Sequence, residues 1–502
     1  MTAFRNALEW LDAAYVSLPD KDKPAFVWEG GAVSFRELRH AANQMAALVL
    51  DNLGPVAKKP VAVCLGRVPK AVAAFLGVAR SGNFYVPLDP DMPDARLAAI
   101  LKMVEPAMLM AEEDALARFA GLGFVPGPAS GLCRALMPAK NPDGAAGRGG
   151  PAINALSAID ADPLCVTFTS GSTGTPKGVV ATHRNVIDYI TSLNEALGVG
   201  SETVYGMQAP FHLDACLKEI YGALSLGATA VIVPKSLFMF PVRLLEFLAE
   251  NKVDSVCWVS SALELVAGLG ALGAARLPAL RLVAFGGERI RNARLNAWLE
   301  AFPGARFVHL YGPTEATGMS AFHVVEGPQG DGEQLPIGRP LANREILLMG
   351  DGEICIRGAG LSPGYFGDPA ATAAAFVQNP LAGFPDRMYR TGDIGRAGAD
   401  GLLYFLHRRD HQVKHMGHRI ELSEIELAAG GLGGVETCCC AYDGEKGRIL
   451  LFCAGRQSDI MPGLRGILPR HMLPARIFWL DALPTTDGGK IDRAGLLRRH
   501  GG

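Results

Sequence analysis

The sequence predicts an α/β protein with a large multi-layer N-terminal domain and a smaller C-terminal unit. Three observations carry this. Helical and strand-like patterns alternate through the first third of the chain and again from Ser255 to Met319, as an α/β architecture requires. The 502 residues exceed the size at which a single core stops growing, so one domain of several layers and at least one smaller unit are expected. Past Arg409 the pattern changes to a short mixed segment running to Gly502.

Taken in order, Phe35 to Leu53 carries apolar residues at helical spacing, Pro60 to Leu65 is strand-like, Lys70 to Ala79 is helical and Phe84 to Leu88 is strand-like again. Pro138 to Asp162 is rich in Ala, Gly and Pro and reads as a loop leading into a short apolar strand, Leu164 to Thr169. Further on, VDSVCWV, LRLVAF and RFVHLYG are the strand candidates. There is no internal repeat, heptad run or low-complexity tail.

Composition excludes several classes. A hydrophobic fraction of 49% and a charged fraction of 20% are ordinary for a soluble enzyme, while 60 Gly and 33 Pro imply many shaped turns. Forty-eight Lys and Arg against 50 Asp and Glu leave a net charge of −2, which gives no global field to attract nucleic acid or a membrane surface. The N-terminus lacks a basic region followed by an uninterrupted apolar one, so no secretory signal is expected. Weakly polar stretches such as Gly222 to Pro234 are too short to span a bilayer. Ten scattered Cys without CxxC pairs point to reduced thiols and a cytoplasmic location. Cys438, Cys439 and Cys440 alternate faces if in a strand and cannot converge on one metal.

The most informative segment follows the strand Leu164 to Thr169. Thr169-Ser170-Gly171-Ser172-Thr173-Gly174-Thr175-Pro176-Lys177-Gly178 packs hydroxyls, glycines and one Lys. Such a loop suits phosphate: Gly permits close backbone approach, successive N–H groups form an anion nest, and the hydroxyls and Lys177 complete the charge match. It is not a Walker A loop, which needs Gly-Lys-Ser/Thr. A polar turn would explain the glycines and proline but not the density of Ser and Thr.

This loop resembles the phosphate loop of the adenylate-forming enzymes, the superfamily of acyl-CoA synthetases, luciferases and nonribosomal peptide synthetase adenylation domains. The rest of that family's series appears in order: YGPTEAT at Tyr311 to Thr317, GEICIRG at Gly352 to Gly358, YRTGD at Tyr389 to Asp393, KHMGHRIELSEIE at Lys414 to Glu426, and PTTDGGKIDR at Pro484 to Arg493. The resemblance covers nearly the whole chain and is greatest to a free-standing amino-acid adenylation domain. It implies the adenylate-forming enzyme fold, with a core over residues 1–409, a small mobile α+β domain over 410–502 and the active site between them.

The resemblance also implies roles. Tyr311 lies against adenine, Thr314 contacts phosphate and Glu315 holds Mg²⁺; an aromatic face, a hydroxyl and a hard oxygen ligand suit those tasks. Asp393 resembles the ribose ligand, with Arg408 near ribose and phosphate. Phe405 stands where the family often has Tyr, and His407 where it often has Gly. Asp410 aligns with the hinge about which the small domain turns, and Lys490 with the Lys delivered to the α-phosphate. His411, His415 and His418 have helical one-face spacing, a possible ligand arrangement, but the VKHMGHRIEL pattern points to extended chain.

The implied reaction is attack of a substrate carboxylate on Mg-ATP with release of pyrophosphate, followed by transfer to a thiol. The carboxylate is already ionised at neutral pH, so no general base is needed. Asp214 aligns with the Asp that pairs with the α-ammonium group in amino-acid-activating members; a salt bridge to Lys218 is the alternative. Lys218 and the other aligned side-chain positions, Ala215, Val283, Phe285, Leu310, Gly318 and Met319, form a mainly apolar pocket with one cation. That favours glutamate or aspartate. If Lys218 is neutralised by Asp214, glycine or alanine becomes the choice. About a dozen residues follow Lys490, so the expected acceptor is a separate carrier protein with a phosphopantetheine thiol. CoA or an amine acceptor, as in an acyl-CoA synthetase or amide ligase, and a non-catalytic nucleotide-binding protein are the rivals.

Overall fold

The computed structural model describes residues 4–140, 158–171, 173–274, 276–485 and 491–501. The chain divides into two compact units, one of residues 1–90, 104–167 and 178–407, the other of 91–103, 168–177 and 408–502.

In the first unit the expected alternation is present. Helix Phe35–Leu53 starts at a capping box, in which Ser34 and Glu37 each accept the other's backbone N–H. It is followed by strand Pro60–Cys64, helix Pro69–Arg80 and strand Phe84–Pro87. The two helices pack closely because Gly77 has no side chain: a Cβ there would lie 2.4 Å from that of Met45. Strands Pro60–Cys64, Phe84–Pro87 and Met108–Ala111 lie parallel in a seven-stranded sheet, which also holds Pro163–Thr169 and Lys177–Thr182. The expected loop over Pro138 to Asp162 falls largely outside the described residues, since 141–157 are not among them.

A nine-stranded sheet has a parallel centre in the order Thr229–Ile232, Val204–Met207, Ser255–Val259, Leu282–Gly286, Arg306–Tyr311. Its two faces are covered by different cores. One core runs from the seven-stranded sheet through helices His183–Leu197 and Cys216–Leu226 to Cys257, Ala284, Val308 and Leu310. The other packs Trp258, Val283, Phe285 and Phe307 beneath helices Pro241–Glu250, Ser260–Gly268 and Asn292–Ala301. Each large apolar side chain buried there stabilises the fold by roughly 1.5–3 kcal/mol. A third sheet, including Arg344–Met349, Glu353–Gly358 and Arg387–Ala397, carries Asp393.

The second unit contains an antiparallel hairpin, Gln412–His415 and His418–Glu421, then helix Leu422–Gly430 and a three-stranded sheet of Val435–Asp443, Arg448–Gly455 and Arg476–Leu480. The hairpin turn places Met416 and Gly417 at φ values of 53° and 79°, so both residues take the left-handed conformation that such tight turns require. His415 and His418 therefore face each other across a hairpin rather than sharing a helix face. Among the described residues no group of three or more potential ligands could hold a metal unaided. Cys439 and Cys440 alternate into different cores, and all ten cysteines are free thiols. No helix among the described residues is long and apolar enough to cross a membrane.

Candidate functional site

Several candidate residues converge at the C-terminal ends of the nine-stranded sheet's central strands, where open α/β sheets commonly bind ligands. Tyr311 ends strand Arg306–Tyr311, and Thr314 and Glu315 lie in the short helical turn after it. The Tyr311 hydroxyl donates to Asp393 Oδ2 at 2.6 Å, joining the two residues expected at adenine and ribose. Phe405 packs partly against the cluster that holds Tyr311, with the Arg289 guanidinium 5.3 Å above its ring. Glu315 is fully buried; its Oε1 accepts from the Tyr365 hydroxyl at 2.8 Å, and its backbone carbonyl accepts from the Ser362 amide. One buried carboxylate with hard oxygens fits Mg²⁺, which is commonly held by one or two carboxylates together with substrate phosphates.

Lys218 lies in the first turn of helix Cys216–Leu226, whereas Asp214 lies in the turn before that helix. Its residue surface is only partly buried, yet its carboxyl is pushed above the usual range by burial, opposed by a hydrogen bond from Thr314 and by the charge of Lys218. Lys218 is buried and donates to the Ala215 carbonyl at 2.9 Å. Burial pushes its pKa down, but Cys257, Glu219, Asp214 and Cys216 around it lift it above the ordinary lysine value. Lys218 and Asp214 interact through space, without the direct ion pair that would neutralise the lysine.

Leu310 and Met319 belong to the core that includes Ala215 and Cys257. Gly318, at φ +83°, presses against Tyr189: a Cβ would lie 2.7 Å from that ring. Val283 and Phe285, expected in the same pocket, are on the opposite face of the sheet, where Phe285 stacks on His309 at 5.3 Å. The reason is the two-residue period of a strand: a shift of one position turns a side chain to the other face. Ala284 is the residue of that strand that packs with Leu310 and Cys257.

The candidate phosphate loop belongs to the second unit. Ser170 Oγ donates to the Arg419 carbonyl at 2.7 Å and accepts from the Glu421 amide at 3.1 Å. The Gly171 amide donates to Glu424 Oε2 at 3.3 Å, and Arg96 pairs with the same carboxylate. Gly171 is obligatory, because a Cβ would meet the Thr175 carbonyl oxygen at 1.9 Å. Thr173 is exposed, Gly174 takes φ +78°, and Lys177 opens strand Lys177–Thr182. Arg408 forms a bidentate pair with Asp410 at 2.7 and 2.8 Å, which outweighs burial and holds the Asp410 carboxyl below its usual range. Ser172 and Lys490 lie outside the described residues.

Comparison with known proteins agrees with the geometry. The family model described as AMP-binding enzyme matches residues 17–366. The chain belongs to the AMP-binding enzyme family. This AMP-binding enzyme is 31% identical over 495 residues to bacitracin synthase 1 of Bacillus licheniformis, covering 95% of the chain but 9% of that relative. It is 31% identical to the solved structure of IdnL1, with a TM-score of 0.80 and coverage of 96% of this chain and 100% of that one. It is 27% identical to holo-PA1221, an NRPS protein containing adenylation and PCP domains, with a TM-score of 0.81 and coverage of 98% and 84%. It therefore has the adenylate-forming enzyme fold, and it spans about a tenth or less of the length of synthases such as bacitracin synthase 1 that it matches.

In this AMP-binding enzyme, three contributors escape a motif search. Cys257 sits beside Lys218 yet carries no charge pattern. Glu219 accepts the Gln208 and Ala209 amides at 3.0 and 3.1 Å, fixing the loop that leads to Asp214. Tyr365 orients Glu315 from a distant segment. For Cys257 a signal exists: it is in register with the small Ala284 on the adjacent strand, while the bulky Trp258 and Phe285 pair at the next position.

Proposed function

We propose that this chain activates the α-carboxylate of an acidic amino acid, glutamate or aspartate, as aminoacyl-AMP with release of pyrophosphate. The activated acyl group then passes to the phosphopantetheine thiol of a separate carrier protein. The observation that carries the substrate class is the buried Lys218 ammonium, hydrogen-bonded to the Ala215 carbonyl and without a direct ion pair to Asp214. A buried cation favours a carboxylate on the ligand, and Asp214, before the same helix, is left to pair with the α-ammonium group.

In this reading Tyr311 and Phe405 hold adenine, Asp393 accepts from the ribose hydroxyls, and Arg408 donates to oxygens of the ribose and phosphate. Thr169 to Gly174, Thr314 and Lys177 bind phosphate oxygens through N–H, hydroxyl and ammonium donors. Ala215, Leu310, Gly318 and Met319 shape the side-chain pocket. Glu315 would hold Mg²⁺, which supplies charge neutralisation at the phosphates when bound. Residues 410–502 form the mobile domain, turning at Asp410 and carrying Lys490 to the α-phosphate, where a flexible cation meets the charge that develops during transfer. Catalysis is by positioning and electrostatic stabilisation. A carrier-protein acceptor is supported by the likeness to holo-PA1221, which contains a PCP domain.

The test is pyrophosphate release across the common amino acids and several fatty and aryl acids, with Lys218→Ala and Lys490→Ala beside the wild type. Release with glutamate or aspartate that Lys218→Ala selectively abolishes is expected. A preference for glycine or alanine would overturn the acidic pocket, and discharge of the adenylate by CoA or an amine alone would overturn the carrier-protein step.

A further inference from the structure

Tyr189 is wholly buried in helix His183–Leu197, and its hydroxyl has no hydrogen-bond partner among the described residues. A buried hydroxyl left unpaired is destabilising, so it calls for an explanation. Its surroundings supply one. A Cβ on Gly318 would stand 2.8 Å from the Tyr189 oxygen as well as 2.7 Å from the ring, which puts the hydroxyl at the segment Gly318–Met319. The Met319 amide is near enough to favour negative charge on that oxygen but falls short of a formed hydrogen bond, and it leaves the hydroxyl proton without an acceptor.

Packing ties Tyr189 to the same face of the sheet: it belongs to one core with Cys257, Ala284 and Leu310, and that core also takes in helix Cys216–Leu226, which carries Lys218. Cys257 and Asp214 also act electrostatically on both the Tyr189 hydroxyl and the Lys218 ammonium. Both are donors in need of an acceptor: the Lys218 ammonium can donate three hydrogen bonds, of which one goes to Ala215.

We infer that Tyr189 determines specificity by donating its hydroxyl proton to the same substrate side-chain carboxylate that pairs with Lys218. This rests on the reading of Lys218 given above. A carboxylate accepts from both donors at once. A carboxamide of equal length accepts at its oxygen but turns an N–H₂ toward the remaining donor, and an aliphatic chain leaves both donors unmade.

The experiment compares pyrophosphate release by wild type and Tyr189→Phe with glutamate, aspartate, glutamine and alanine, at varied amino acid and varied ATP, alongside the thermal midpoint. The substitution removes only the unpartnered oxygen and keeps the ring against Gly318, so the midpoint is expected to hold or rise. The KM for the preferred acidic amino acid is expected to rise about tenfold, as loss of a hydrogen bond to a charged group gives, with the KM for ATP unmoved and the preference for acid over amide reduced. An unchanged KM for the acid, or a parallel rise in the KM for ATP, would overturn the role of Tyr189 while leaving that of Lys218 intact. Absence of any acidic-amino-acid signal in the wild type would instead overturn the acidic reading of the pocket, and this inference with it.

Discussion

Acidification is expected to weaken the first unit through one residue, His183. It opens helix His183–Leu197, is fully buried, and accepts the Ala7 amide at Nδ1 at 3.2 Å, while Nε2 is buried without a partner among the described residues. A charged imidazole would need Nδ1 to donate where Ala7 already donates. Burial accordingly pushes its pKa from 6.5 down to about 4, against the pull of Asp162 and Asp160. The folded pKa is below the unfolded one, so the unfolded state binds the proton first. The contribution to stability is present above pH 6.5 and is lost as pH falls toward 4. Linkage gives about 3 kcal/mol for the full shift and about 2 kcal/mol between pH 7 and pH 5. The assay is urea unfolding at those two pH values for wild type and His183→Asn, whose amide can still accept from Ala7 but does not titrate. Wild type is expected to lose about 2 kcal/mol more than the variant on acidification. Equal losses would refute the assignment, because other carboxylates and histidines would then carry the whole effect.

Gly171→Ala is expected to abolish pyrophosphate release while scarcely moving the thermal midpoint, since the added methyl meets the Thr175 carbonyl within the loop; activity within tenfold of wild type would show that the loop adapts. Arg493→Ala removes hydrogen bonds to Glu426 and to the Cys440 carbonyl, and should lower the stability of the second unit by about 2 kcal/mol; an unmoved urea midpoint would contradict this. Cys133 and Cys165, whose thiols burial raises to about 11 and about 12, are expected to resist iodoacetamide at pH 8 until the protein is unfolded, as peptide mass spectrometry would record.

What the sequence reveals depends on which physical signal each element carries. Helix Phe35–Leu53 is readable because its apolar spacing and its Ser34 cap are both local. The central strands are readable as apolar runs, but a run buried on both faces hides its phase, which is why Val283 and Phe285 seem pocket residues until the two cores are seen. The chemistry of Tyr311, Glu315 and Asp393 is announced by motifs, whereas their hydrogen bonds to one another and to Tyr365 are not. Tyr189 is a further case: within a helix it reads as ordinary core, and only the approach of Gly318 and its unpaired oxygen mark it out. Asp214 and Lys218 are another case: they stand four residues apart in the sequence, but the helix begins at Cys216, so they do not share its face.

The division of strand Leu282–Gly286 between two cores also sets the rules for redesign. Odd and even positions along it answer to different demands: Val283 and Phe285 hold the helices beneath the sheet, while Ala284 faces the side of Lys218 and Leu310. Under the proposed reading, a mutational library confined to Cys257, Ala284 and Leu310 varies the pocket side of the sheet and leaves Trp258, Phe285 and Phe307 in place. Randomising the strand as a block would mix the two and return mostly unfolded variants. A single pleat thus separates what can be varied from what must be kept.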